Sequence, residues 1–164
     1  MSVLSAGLLL YRQRGSTEVF LVHPGGPFWS RKDAGSWSIP KGLLHPGEEP
    51  LAGAQREFAE ETGLQPGASG RECDLGSFRL PSGKQLQVFM LEGDCDPSEL
   101  KSNLFEMEWP PHSGRRAQFP EVDRGGWFDR SAAQLKITAG QRPVLERFFA
   151  QFCARGDSSA AIHE

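Results

Sequence analysis

GLLHPGEEPLAGAQREFAEETGL, residues Gly42 to Leu64, is the stretch on which the reading of this chain turns. Its second half predicts a helix over residues 50–62. Pro50 suits a first helical position, and Gly63 suits the position just past the end. At about 100° per residue, Leu51, Ala54, Phe58 and Thr62 share one face, while Glu57, Glu60 and Glu61 gather on another. Like charges at that spacing repel by roughly 0.2–0.5 kcal/mol per pair. A solvated face would normally intersperse Lys or Arg, and only Arg56 is near. A multivalent cation would turn this repulsion into binding, and carboxylate oxygens suit hard ions such as Mg²⁺ or Mn²⁺. Taken alone, the helix leaves an ordinary acidic surface as the alternative.

Outward from the helix, the pattern is of short strands and turns. Residues 3–11 and 18–23 read as strands whose near-continuous apolar character predicts burial on both faces. A Gly/Pro-rich loop follows over 24–36, then a short extended piece, Trp37 to Ile39, and a second loop from Lys41 to Gly47. Beyond the helix, residues 71–80 and 84–93 predict a hairpin around Pro81-Ser82-Gly83. Residues 94–124 show little periodicity and are expected to form a long functional loop. A short strand over 126–129 and helices over 130–138 and 141–154 complete the chain, the last burying Val144, Leu145, Phe148, Phe149 and Phe152. The tail, 155–164, is expected to be flexible.

Composition excludes several classes. The chain has 164 residues, enough for one domain with a real core. Lys and Arg total 18 against 21 Asp and Glu, so there is no global basic field and a nucleic-acid polymer is not the expected partner. The 19 glycines and 12 prolines predict many turns rather than a helical bundle. Cys73, Cys95 and Cys153 form no Cys-x-x-Cys pair, which suggests neither a disulfide framework nor a zinc site. The apolar run from Val3 to Tyr11 is too short to span a bilayer. The expectation is a cytoplasmic protein, not membrane-bound, acting as a monomer or homodimer. Ser82-Gly83-Lys84 is no phosphate-binding P-loop, because the upstream glycine spacing fails and Gln85 replaces Ser or Thr.

The Gly42–Leu64 stretch resembles the Nudix hydrolase signature, MutT-like in its order. That signature reads glycine, five residues, glutamate, seven residues, Arg-Glu, an apolar residue, any residue, Glu-Glu, any residue, glycine and an apolar residue. Gly42, Glu48, Arg56, Glu57, Phe58, Glu60, Glu61, Gly63 and Leu64 occupy its specified positions. Phe58 stands where the family more often has an aliphatic side chain. Chance coincidence of the fixed identities is on the order of 10⁻⁸ per start position, at about 7% usage each.

The resemblance implies an α/β fold, a Nudix-type α/β/α sandwich around a mixed β-sheet, forming a single domain over residues 1–154. It implies that Glu57, Glu60 and Glu61 hold Mg²⁺, or Mn²⁺, with Glu57 and Glu61 the foremost ligands and the Lys41 backbone carbonyl joining them. Glu48 and Arg56 are implied to fasten the loop to the helix, and Gly42 and Gly63 to serve backbone geometry. The general base sits in the helix in some members and in a later loop in others; Glu121, six residues before Trp127-Phe128, is the loop candidate, with Glu106 and Glu108 as rivals. The implied activity is metal-dependent hydrolysis of a phosphoanhydride bond in a nucleoside diphosphate derivative.

WSIPKG, Trp37 to Gly42, resembles the lead-in of the dinucleoside polyphosphate branch, which makes such compounds and nucleoside triphosphates the expected substrates. ADP-ribose or a sugar nucleotide is the alternative, and a nucleotide-sensing module with little catalysis is the alternative of another class. Lys41 is expected to contact phosphate as a compact cation. Arg31 is expected among the substrate-binding residues, with Lys32, Lys84, Arg115 and Arg116 as further cations. Trp37 is expected among the substrate-binding residues too, and Phe28, Trp29, Trp37, Phe105, Trp109 and Phe119 are the aromatic candidates for a base, with none singled out. His45 and His112 have no partner pattern and are expected at the surface.

Overall fold

A computed structural model describes residues 4–65 and 71–151. The eight strands it describes are β1 (Leu4–Arg14), β2 (Ser16–Pro24), β3 (Lys41–Leu43), β4 (Cys73–Arg79), β5 (Gln85–Glu92), β6 (Leu104–Glu108), β7 (Arg116–Pro120) and β8 (Val122–Asp129). The helices are α1 (Pro50–Thr62), α2 (Arg130–Lys136) and α3 (residues 142–151).

The main sheet runs β4-β5-β1-β2-β8, with β3 paired to the first part of β1. β1 and β5 are parallel and the remaining pairs antiparallel, so the sheet is mixed. Strand alternation sorts the apolar residues to two sides. Ala6, Leu8, Leu10, Phe20 and Val22 pack with Ala54 and Phe58 of α1. Leu9, Tyr11, Val19 and Leu21 pack with Ala133 of α2 and with Val144, Leu145, Phe148 and Phe149 of α3. The result is an α/β/α sandwich, and the double burial explains why β1 reads as an unbroken apolar run.

Three sequence expectations change. Residues 94–124 are not one long loop, because β6 and β7 form a separate two-stranded hairpin within them. Its strands are five residues each and only half-buried on alternate positions, so the period-two signal is faint. The strand expected over 126–129 begins at Val122, since pairing with β2 overrides the turn character of Asp123-Arg124-Gly125-Gly126. Lys41–Leu43, expected as loop, pairs with Ser5–Gly7 as β3. Phe152, Cys153 and the 155–164 tail lie outside the described residues. Cys73 and Cys95 are free thiols. Among the described residues, no helix is long and apolar enough to cross a membrane.

Candidate active site

α1 begins at Pro50 and ends at Gly63, whose φ of 66° is the left-handed conformation that glycine adopts without strain. Gly53, Ala54, Phe58 and Thr62 are its buried positions. This burial fixes the rotation of the helix and turns Glu57 and Glu60 toward Arg56.

Arg56 also organises the loop before the helix. Its Nε and Nη2 donate to the two carboxylate oxygens of Glu48 at 2.8 and 3.0 Å, a bidentate pair. Nη2 also donates to the Leu43 carbonyl at 3.0 Å, and the His45 N–H donates to Glu48 at 3.0 Å. The guanidinium holds the Glu48 carboxyl down at about 2, with the His45 N–H adding to the effect. Nη1 reaches one oxygen each of Glu57, at 2.9 Å, and Glu60, at 3.0 Å. Gly42 is needed where the chain passes over Glu57, because a Cβ there would fall 2.1 Å from the Glu57 carboxyl carbon.

Glu61 faces the other way, toward β3, where the Lys41 N–H donates to its Oε2 at 3.3 Å. Burial, followed by the charge of Glu57, pushes its carboxyl up to about 8. Glu121 reaches the same place from the turn between β7 and β8, and burial together with Glu57 and Glu60 raises its carboxyl. Residues 101–103 strap it there. The Lys101 N–H donates to Thr62, the Asn103 N–H to Glu60, and the Glu121 N–H to Asn103, each to a carbonyl 2.8–2.9 Å away.

Lys41, Glu61 and Glu121 line one cavity of about 310 Å³, with Trp29, Ser36, Ser38 and Gln141 among its other walls. Gln141 is buried and joins two segments: its Oε1 accepts from the Ile39 N–H at 3.0 Å and its Nε2 donates to Ser38 at 2.9 Å. No local pattern announced Gln141 or Ser38, since they meet only when α3 docks on the sheet. Trp29 was visible as one aromatic among several.

Other expected residues stand apart. Trp37 is not a base-stacking surface. It is 5% exposed, packs edge-on against Phe128 at 4.9 Å, and donates its indole N–H to Asp33 at 2.8 Å. Its hydrophobic area is spent in the core. Arg31 is exposed on the turn after Trp29 and does not line the cavity. Glu106 pairs with Arg116, and Glu108 accepts from the His112 N–H, both on the exposed β6–β7 hairpin.

Among the described residues, no three His, Cys, Asp or Glu side chains are gathered so as to hold a metal ion by themselves. The all-oxygen donors of Glu57, Glu60 and Glu61 are of the kind that suits Mg²⁺, which keeps several waters and takes substrate phosphates as ligands. The raised carboxyls fit it too, because a bound divalent charge among Glu57, Glu61 and Glu121 would reverse their mutual repulsion.

Comparison with known proteins agrees with this fold. The NUDIX domain family model matches residues 1–148. An RNA pyrophosphohydrolase of Mesorhizobium japonicum is 30% identical over 129 residues, covering 71% of this chain and 69% of that protein. The Ap4A hydrolase of C. elegans superposes with a TM-score of 0.61 at 20% identity, over 92% of this chain and 98% of that one. The NUDIX domain of Shewanella oneidensis NrtR, complexed with ADP ribose, gives a TM-score of 0.64 at 14% identity, over 93% and 89%.

Proposed function

The chain belongs to the Nudix hydrolase family, and from that premise we propose that it hydrolyses a phosphoanhydride bond in a nucleoside diphosphate derivative, with dinucleoside polyphosphates and nucleoside triphosphates as the first candidates. One observation carries the reading: a cation, Lys41, and two carboxylates of raised pKa, Glu61 and Glu121, share a cavity that the partly exposed Trp29 also lines. Its volume is at the lower end of ordinary small-molecule sites, which run from roughly 300 to 1,000 Å³.

Glu57, Glu60 and Glu61, with the Lys41 backbone carbonyl, are the groups that would hold Mg²⁺ or Mn²⁺. When bound, such an ion neutralises and orients the phosphates and lowers the pKa of an attacking water. The chain's own residues do the rest. Lys41 attracts the polyphosphate and Trp29 stacks a base, while Ser38 and Gln141, bonded to each other, hold the wall between segments. Glu121 accepts the proton from water, from its place beside Glu61 on the cavity wall. Arg56 and Glu48 keep loop and helix in register. The unpaired thiols support a reducing, cytoplasmic setting.

The RNA pyrophosphohydrolase relatives favour a second reading, in which the substrate is the 5′-polyphosphate end of an RNA. A panel settles between them: dinucleoside polyphosphates, nucleoside triphosphates, ADP-ribose, sugar nucleotides and a 5′-triphosphorylated RNA oligonucleotide, each with Mg²⁺ and with products identified by mass spectrometry. Free nucleotides turned over faster than the RNA support the first reading. The reverse order replaces it with the second. Tight nucleotide binding with no hydrolysis of any member overturns both in favour of a sensing module.

A further inference from the structure

The pairing of β2 with β8 slips where the cavity wall begins. His23 pairs with Arg124, but Pro24 pairs with Val122, so Asp123 is an extra residue and its side chain is re-aimed. Asp123 Oδ1 lies 2.8 Å from His23 Nδ1. On the opposite edge of the ring, His23 Nε2 lies 2.6 Å from the carbonyl oxygen of Lys32. A carbonyl can only accept, so Nε2–H donates to Lys32, and the carboxylate takes the other ring nitrogen with a proton between them. His23 is fully buried, and its ring meets Trp37 edge-on at 5.3 Å. The Arg124 guanidinium is the further charge beside the pair, 4.0 Å from Asp123.

Each partner of this histidine leads to the cavity. The Lys32 N–H donates to the Trp29 carbonyl at 2.9 Å, and the Lys32 ammonium sits 4.9 Å from the centre of the Trp29 ring. Asp123 follows Val122 and Glu121, which line the same cavity as Trp29. An apolar side chain would fill the same buried space without needing two hydrogen bonds, and would leave the Trp29 turn untied.

We infer that His23 is a positioning residue: with Asp123 it clamps the Trp29 turn to the strand behind Glu121, and so registers the base-stacking ring against the hydrolytic carboxylates. The inference rests on the proposed nucleotide cavity. Four variants test it: Asp123→Ala, Asp123→Asn, His23→Ala and Trp29→Ala. The Asn amide can donate to Nδ1 while Nε2–H still reaches Lys32, so Asp123→Asn preserves the clamp that Asp123→Ala breaks.

With the best nucleotide of the panel, Asp123→Ala and His23→Ala are expected to raise KM about tenfold while kcat falls less than about threefold. Asp123→Asn is expected to stay within about threefold of the unaltered KM. The Ki of inorganic tripolyphosphate, a competitor with no base for Trp29, is expected to move less than about threefold in all three. The double variant His23→Ala/Trp29→Ala is expected to be no worse than Trp29→Ala alone. Should His23→Ala fail to fold, the two Asp123 variants decide the matter. Additive losses, an equal rise in tripolyphosphate Ki, or Asp123→Asn as damaging as Asp123→Ala would overturn the clamp. If Trp29→Ala itself leaves nucleotide KM unmoved, it is the cavity reading that fails.

Discussion

The two sides of the cavity are built in opposite ways. On one side, Glu61 belongs to a single short stretch with Glu48, Arg56, Glu57 and Glu60, which one guanidinium and one helix organise. On the other, Trp29, Ser38, Glu121 and Gln141 come from segments more than a hundred residues apart. Local helical periodicity dictates the first side, so its chemistry travels as a contiguous pattern. Tertiary docking dictates the second, which brings the Glu121 carboxylate to Glu61 only once the chain has folded.

The largest expected effect lies on the helical side. Glu61→Gln should lower kcat/KM by about 10³, the several kcal/mol that a metal-assisted step supplies. Its Tm should hold or rise, since a neutral amide relieves repulsion from Glu57. A variant that keeps the unaltered protein's kcat/KM would break the division of labour. On the assembled side, Trp29→Ala should raise nucleotide KM about tenfold, within the roughly 1–3 kcal/mol that base stacking is worth. Steady-state kinetics that show kcat collapsing instead would make Trp29 part of the chemistry.

Gln141→Ala should destabilise the fold by roughly 1–3 kcal/mol, because it strands the buried Ile39 N–H. Urea unfolding checks this, and an unchanged midpoint would show that the docked helix does not depend on that bond. The smallest effect is in the brace. Arg56 holds the Glu48 carboxyl at about 2, below its ordinary value. The stability it contributes is therefore fully present above the unfolded carboxyl's pKa, about 4.3, and is lost as pH falls through the native value. Between about pH 4.5 and 2, Tm should fall more steeply in the unaltered protein than in Glu48→Gln. Parallel slopes would remove the brace from the account.

The contrast also explains what the sequence disclosed. The acidic front of α1 and the bounds at Pro50 and Gly63 were legible because each depends on neighbours within a few turns, whereas the Glu48–Arg56 pair came from the family resemblance. The double burial of β1 was legible in its unbroken apolar run. Trp37 was misread as a ligand surface because nothing local distinguishes a buried indole from an accessible one; Phe128 and Asp33 decide it from other elements. β6 and β7 were hidden by their brevity and polarity. His23 was passed over altogether, since its partners lie nine and a hundred residues away.

The most direct measurement of the central claim is turnover of the best nucleotide as a function of free Mg²⁺, after chelation, in the unaltered protein and in Glu61→Gln. No turnover in chelator, recovery on adding Mg²⁺, and a response in Glu61→Gln that is shifted to higher Mg²⁺ or abolished are the predicted results. Full turnover by the chelated protein, or superimposable Mg²⁺ responses in the two, would contradict it.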